Sequence, residues 1–480
     1  MRRRPKKNVI KTLYIDQLTS KGVMGKEVDP TTAIKQTDRW MVKGAAIGDI
    51  LQARILRNNQ AQILEITEPA SDRIEPRCPY FLLCGGCQLQ HTPIEKQREI
   101  KQAMLQRLFA PHNTPNDITI HPVIGGAEYG YRNKLELSFG TKRFYLEPPI
   151  KEESPLENDT ITEEDTATNT EDSFLGMHPW NWYSKIVPLA SCSLAHPSIN
   201  AAMSIFADLS LAPAWNTYTH SGVWRHIVLR YGEGLVVNMI TSSAAKRETL
   251  LEITTKLQTI PSLKGVIWTI NDGIAEVATG KVQEILFGSG ELHYTLCEKR
   301  LSIPHDGFAQ VNVEGAEMLL QIVRNICPPT IELLLDLYCG SGAIGIALSD
   351  IATEIVGIEI QEQAIELAKQ NAIQNSVVGS WKAGKVEEVI RQIPNIDKAF
   401  IIVDPPREGL HPKVAEFLST QQGASLIYIA CNPKSLARDK EILEQGHWKL
   451  TDVWSVDMFP QTPHVECVGK FIRQSTDSIL

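Results

Sequence analysis

Apolar and polar positions fall into three successive patterns along the chain. From about residue 8 to 70, short apolar runs at 12–15, 40–42, 50–55 and 62–66 are separated by Gly22, Gly25, Gly44 and Gly48. Short strands at this spacing predict a small closed β-barrel over residues 1–72. A helix follows over 93–108, where Ile94, Ile100, Met104, Leu105 and Leu108 share a face and the charged residues are expected to point outward. From Tyr131 to Ile303 the pattern is mostly β with some helix, and 227–240 reads as a hairpin turning at Gly232-Glu-Gly234. Residues 73–305 are therefore expected to form a central α+β domain.

From about Gly307 the rhythm changes. Helix 313–326, strand 333–337, a glycine turn, helix 343–349, strand 355–360, helix 363–375, strand 399–403, a helix near 414–419 and strand 425–430 alternate. This is the doubly wound pattern of a Rossmann-like α/β domain, assigned to 306–480. There is no internal repeat. The predicted fold class is multidomain α/β: barrel, central α+β domain, carboxyl-terminal α/β domain.

Charge modifies this picture in one place. The net charge is −8, but residues 151–172 hold nine acidic residues and one lysine. That stretch reads as a disordered insert, leaving the remainder near neutral and compatible with a local basic face. The start, Met1-Arg-Arg-Arg-Pro-Lys-Lys7, has no apolar segment behind it and is no secretory signal. It reads as a solvated tail or a nucleic-acid contact. No apolar run reaches about 18 residues, so no membrane span is expected. Nine cysteines, an odd number, fit a reducing cytoplasm in which thiols serve as ligands, nucleophiles or core residues.

Gly340-Ser-Gly-Ala-Ile-Gly345 matches G-x-G-x-x-G between a strand and a helix, and Glu359 ends the next strand. Such glycines let the backbone approach a ligand, and the acid can hold ribose hydroxyls. Nicotinamide enzymes and methyltransferases share this logic. Asp336 ahead of the turn and Asp404-Pro-Pro-Arg407 after a later strand favour S-adenosylmethionine. Cys431, in Cys431-Asn-Pro433, follows strand 425–430 and so stands at the strand ends where ligands of open α/β sheets collect. Glu466 precedes a final strand and can return to the same rim. A thiol, a carboxylate and a methyl donor suit alkylation of pyrimidine C5 through transient thiolate addition at C6.

Asp404-Pro-Pro-Arg-Glu-Gly409, Cys431-Asn-Pro, Leu436-Ala-Arg-Asp439 and Asp457-Met-Phe-Pro with His464-Val-Glu466 together resemble the RNA uridine-C5 methyltransferase family over nearly the whole chain. The resemblance implies that Cys431 is the nucleophile and Glu466 the general base. It implies cofactor contacts from Gln310, Tyr338, Glu359 and Asp404. Ala343 departs from the family, many of whose members carry a polar residue there. The barrel resembles a TRAM (OB-like) domain, and Tyr131-Arg-Asn-Lys134 matches another family run, offering Arg132 and Lys134 to phosphates.

Cys78, Cys84 and Cys87 form C-x5-C-x2-C, with Cys192 as candidate fourth ligand. Thiolates suit zinc and iron–sulfur clusters alike; the resemblance implies a [4Fe–4S] cluster. Cys297, Cys327, Cys339 and Cys467 read as core thiols. The expectation is a monomeric, cytoplasmic enzyme that methylates uridine C5 in RNA. Large-subunit ribosomal RNA is favoured over transfer RNA because barrel and cysteines are both present. A nicotinamide oxidoreductase and a non-catalytic RNA-binding iron–sulfur protein are the rival readings.

Overall fold

The computed structural model describes residues 9–28, 39–109, 118–144, 173–180, 183–211, 213–421 and 425–473. The basic start and the acidic stretch 151–172 lie outside the described residues.

Strands Ile10–Thr19, Gly22–Glu27, Arg39–Val42, Ile50–Ile55 and Gln60–Glu68 close the expected barrel. The first strand pairs antiparallel with both the second and the fourth, which completes the ring. Leu13, Ile15, Leu51 and Ala53 alternate along their strands and are fully buried inside it.

Helix Ile94–Phe109 joins the barrel to the rest of the molecule. Ile100 and Met104 pack into the barrel core, whereas Leu105 and Phe109 pack into the core of the carboxyl-terminal domain. Its polar residues do not all face outward as expected: Gln97 and Lys101, one turn apart, are fully buried. Both meet the distant segment 457–461, which a local periodicity cannot reveal.

The central segment builds a seven-stranded mixed sheet. Trp224–Tyr231 and Leu235–Thr241 form the predicted hairpin, and Leu235–Thr241 then runs parallel to Leu263–Ile270 through helix Arg247–Leu257. Nearly every residue of the two hairpin strands is buried, consistent with their continuous apolar reading.

The carboxyl-terminal sheet has eight strands. Ser380–Ala383, Ala352–Glu359, Ile331–Leu337, Phe400–Val403 and Ser425–Ala430 run parallel in that spatial order. Glu466–Arg473 lies antiparallel to Ser425–Ala430, and Trp448–Val456 antiparallel to it in turn. Thr119–Ile124, from the segment before the central sheet, adds an eighth strand parallel to Trp448–Val456. Both faces of the sheet are covered: Leu333, Leu335 and Leu337 enter one core, Leu334 the opposite one. Strand order reverses between Ile331–Leu337 and Phe400–Val403, and the crevice at such a reversal is where open α/β sheets bind ligands.

Candidate active site

The glycine turn sits at that crevice. Tyr338, Gly340 and Gly342 have φ of 65°, 52° and 80°. For Gly342 the requirement is double, because a Cβ there would also lie 3.0 Å from the Trp381 ring. A Cβ on Gly340 would meet nothing within 4 Å, so this side of the turn faces open space. Glu359 braces it, accepting from Gly340 N (3.3 Å) and Gln361 N (3.0 Å). Asp336 beneath is fully buried; its Oδ2 accepts from Gly345 N at 2.9 Å and its Oδ1 has no partner. Burial, with the Glu359 charge added, pushes the Asp336 carboxyl up to about 7.

Tyr338 is partly buried against the core, and burial pushes its phenol up to about 12. Gln310 arrives from another element, the loop between Lys299–Pro304 and helix Val313–Ile326, with its carbonyl held by Asn133 Nδ2 at 3.0 Å. Buried Asn371 ties that preceding strand to the turn: it accepts from Ser302 N (2.8 Å) and donates to the carbonyls of Ser302 and Ser341, each at 3.2 Å. Asn371 was missed in the sequence because nothing local marks a helix asparagine as a spacer.

Asp404 leaves the strand beside the turn, its N–H donating to Leu337 O at 3.2 Å. Desolvation, with Asp336 adding, pushes its carboxyl up to about 7.

Sheet register brings the thiol and the base together. Ala430 is paired with Cys467, so the next residues outward, Cys431 and Glu466, stand side by side at the strand ends. Burial first, then the charges of Glu466 and Asp404, push the Cys431 thiol up to about 11; Arg407 acts in the opposite sense. Glu466 is 4% exposed, and burial followed by Asp404 pushes its carboxyl up to about 8, again opposed by Arg407. Arg407 is thus the cation facing both groups, which sequence inspection did not single out. It belongs to the Asp404-Pro-Pro-Arg407 run, and only the fold turns that run toward Cys431.

The motif residues around Cys431 hold this geometry. Asn432 caps helix Pro433–Glu444, accepting from Lys434 N, and its Nδ2 donates to Arg407 O at 3.0 Å. One side chain therefore joins the thiol loop to the Asp404–Arg407 loop. Asp439 Oδ2 accepts from Tyr428 Oη and from Leu410 N, both at 2.7 Å, locking the following turn to the strand that carries Cys431. Gly409 has φ 87°, and a Cβ would come within 2.5 Å of Arg438 and Asp439.

Cys78, Cys84, Cys87 and Cys192 line one cavity, together with Gln90, Arg132 and Tyr80. Burial raises Cys84 to about 11 and Cys87 to about 12, and the neighbouring thiols of the set add to each. Among the described residues no group of three or more His, Cys, Asp or Glu side chains is arranged to hold a metal ion; the four thiols share the cavity lining without closing on a metal site. Arg132 lines this cavity, its Nε donating to Lys134 O at 2.8 Å, and Lys134 pairs with Glu136 at 2.6 Å on the surface. Cys339 and Cys467 are buried, and Cys297 and Cys327 pack partly buried against the core, as core thiols should.

The site now defines a class: a Rossmann-like group-transfer domain with a thiol and a carboxyl at its ligand crevice. Residues 388–474 match the family described as tRNA (Uracil-5-)-methyltransferase, and residues 306–423 the Methyltransferase small domain. An RNA methyltransferase from Clostridium tetani is 32% identical over 451 residues, covering 91% of this chain and 93% of that protein. Another from Caldanaerobacter subterraneus is 30% identical, covering 89% and 92%. The crystal structure of Pyrococcus abyssi tRNA (uracil-54, C5)-methyltransferase with S-adenosyl-L-homocysteine shares the fold. It has a TM-score of 0.71 at 23% identity and covers 96% of this chain and 100% of that one. The chain belongs to the RNA uracil-5 methyltransferase family.

Proposed function

We propose that this protein methylates C5 of a uridine in RNA, using S-adenosylmethionine, with Cys431 as nucleophile and Glu466 as general base. The observation that carries the reading is the strand register that sets Cys431 beside Glu466, with Asp404 and the open glycine turn on neighbouring strand ends. Cys431 Sγ adds to C6, and the electron pair displaced from the double bond makes C5 nucleophilic. S-adenosylmethionine, when bound, supplies the electrophilic methyl that C5 takes. Glu466 as carboxylate then removes the C5 proton, the pair re-forms C5=C6, and the Cys431 thiolate leaves. Gln310, Tyr338, Glu359 and Asp404 are assigned to the cofactor, and Asp404 also faces the uracil side through its proximity to Glu466.

The four cysteines are assigned to a [4Fe–4S] cluster; their shared cavity and mutual destabilisation as thiolates support it, since a cationic cluster would offset that repulsion. The barrel is assigned a TRAM-like RNA-binding role, supported by a groove between barrel and cysteine loop that Lys21, Lys43 and Trp180 line. Large-subunit ribosomal RNA remains the favoured substrate, with transfer RNA the alternative. The protein is assigned to a reducing cytoplasm as a monomer; nine free thiols accord with the reducing compartment, and no helix among the described residues is long and apolar enough to cross a membrane.

The test is mass-spectrometric mapping of 5-methyluridine in ribosomal and transfer RNA from cells with and without the gene. Loss of 5-methyluridine from a large-subunit site is expected; loss from transfer RNA alone selects the alternative. Unchanged RNA, with tight NAD binding and none of S-adenosylmethionine, would overturn the reading.

A further inference from the structure

We propose that Gln97 and Gln461 form a positioning bridge through which the cysteine site sets the placement of Glu466. This rests on the assignment of Glu466 as the general base. The carbonyl of Gln461 accepts from the N–H groups of Gln88 and Leu89 at 2.9 and 3.0 Å, the two residues that follow Cys87. Gln461 N donates to Gln97 Oε1 (3.0 Å), and Gln97 Nε2 donates back to Gln461 Oε1 (2.9 Å). The same Nε2 lies 3.1 Å from Leu89 O and 2.8 Å from Thr92 O. On the far side of the cysteine loop, Gln90 Oε1 accepts from Cys78 N at 2.9 Å. Two of the four thiol-bearing residues are therefore joined to Gln461 by short runs of backbone and hydrogen bonds.

Gln97 is fully buried and Gln461 is 1% exposed, so these bonds have no water to exchange with. Gln461 adopts φ 70°, a left-handed conformation that a side-chain-bearing residue keeps only where its surroundings enforce it. Helix Ile94–Phe109 fixes the other end. One turn after Gln97, Lys101 Nζ meets Asp457 Oδ1 at 2.5 Å, both groups fully buried. From Gln461 the chain runs Thr462-Pro-His-Val-Glu466 with no glycine, stiffened by Thr462 Oγ1, which donates to Phe459 O and accepts from His464 N. A displacement at the cysteine loop is thereby passed to Glu466 instead of being absorbed between them. Proton removal at C5 needs the carboxylate within hydrogen-bond reach, and a misplacement of about 1 Å can cost about 10²-fold.

The experiment is single-turnover kinetics on full-length, metal-loaded protein with its RNA. Methyl transfer and resolution of the Cys431–RNA adduct are measured as separate rate constants. In Gln97→Met, which keeps the volume and deletes the four hydrogen bonds of the Gln97 side chain, resolution is expected to slow about tenfold while methyl transfer changes less than about threefold. A purely structural role would lower the active fraction, seen as burst amplitude, and leave both rate constants unaltered. That result would overturn the bridge, as would equal loss in both steps. Should Gln97→Met not fold, Gln461→Leu, which removes the Gln461 Oε1 acceptor but leaves the backbone bonds of Gln461, should slow resolution selectively by a smaller factor. Wild type and Glu466→Gln separate the two claims. Wild type that forms no 5-methyluridine, or Glu466→Gln that traps no adduct, removes the parent reading and the bridge with it. Trapping by Glu466→Gln with wild-type resolution in the bridge variants removes the bridge alone.

Discussion

Replacing Glu466 by glutamine should separate catalysis from stability in opposite directions. The carboxyl is 4% exposed and pushed from 4.5 to about 8 by burial and by Asp404. Near pH 7 the ligand-free protein therefore holds it mostly protonated, a state that glutamine imitates in shape and charge. Its folded pKa lies above the unfolded one. Its contribution to stability is thus complete below about 4.5 and is lost as pH rises through about 8. The displacement corresponds to a loss on the order of 5 kcal/mol by pH 9. Glu466→Gln has no proton to lose. It should match wild type in unfolding free energy near pH 5 and exceed it at pH 9, with a shallower dependence between, by up to about 1.4 kcal/mol per pH unit.

Catalysis should move the other way. Without a carboxylate the methylated adduct keeps its C5 proton and Cys431 cannot leave. Turnover should fall about 10²–10⁴-fold, the range of a general base. Denaturing electrophoresis should show a retarded protein–RNA band that mass spectrometry assigns to a methylated covalent adduct on Cys431. Denaturant unfolding across pH 5–9 supplies the stability half. Normal turnover with no adduct would refute the role of Glu466, and parallel stability profiles for the two proteins would refute the burial argument.

Cys431→Ala should form no adduct and lose methyl transfer while S-adenosylmethionine still binds by calorimetry; full transfer would eliminate the nucleophile. Asn432→Ala removes a helix cap and the bond to Arg407 O; a stability loss of about 1 kcal/mol is expected by denaturation, with a fall in kcat larger than any rise in KM. Lys101→Met leaves buried Asp457 with Arg98 Nε, 3.9 Å away, as its remaining cation and should cost about 3 kcal/mol by denaturation. Cys87→Ser should abolish the absorbance near roughly 410 nm expected of thiolate-bound iron–sulfur. Stoichiometric zinc in colourless wild-type protein would reject the cluster.

What could be read from sequence follows from where each signal resides. The parallel strands announced themselves because burial on both faces makes them continuous apolar runs, as at Leu333 to Leu337. Cys431 and Glu466 were recognisable from short runs whose spacing is local. Thr119–Ile124 was not assigned to the carboxyl-terminal sheet: it is an edge strand carrying His121 and Pro122, with little apolar alternation. Lys101 was read as part of a charged outer face, and the burial of Gln97 beside it was not read at all, because their partners lie 356 and 364 positions away. Arg407 was visible as a residue, but its aim at the thiol depends on Asn432 holding its carbonyl.

The ligand-free site is not poised to react, and this constrains how it works. With the Cys431 thiol at about 11, on the order of one molecule in ten thousand carries a thiolate at pH 7. Burial raises the thiol first, with the Glu466 and Asp404 charges adding, and burial with the Asp404 charge likewise keeps Glu466 protonated; Asp404 is in turn raised by burial and by Asp336. One positive charge brought among these acids lowers all four pKa values together, because each is raised in part by its acidic neighbours. Arg407 supplies part of that charge, and a sulfonium donor bound at the glycine turn would supply more. Thiolate and base should therefore become competent when the methyl donor is present, leaving Cys431 as an unreactive thiol otherwise. Alkylation by a small thiol reagent at fixed pH measures this directly: the rate at Cys431 should be higher with S-adenosylmethionine bound than with neutral S-adenosylhomocysteine, and the rise smaller in Arg407→Gln. Equal rates with the two ligands would show that the sulfonium charge does not activate the thiol and would refute this coupling.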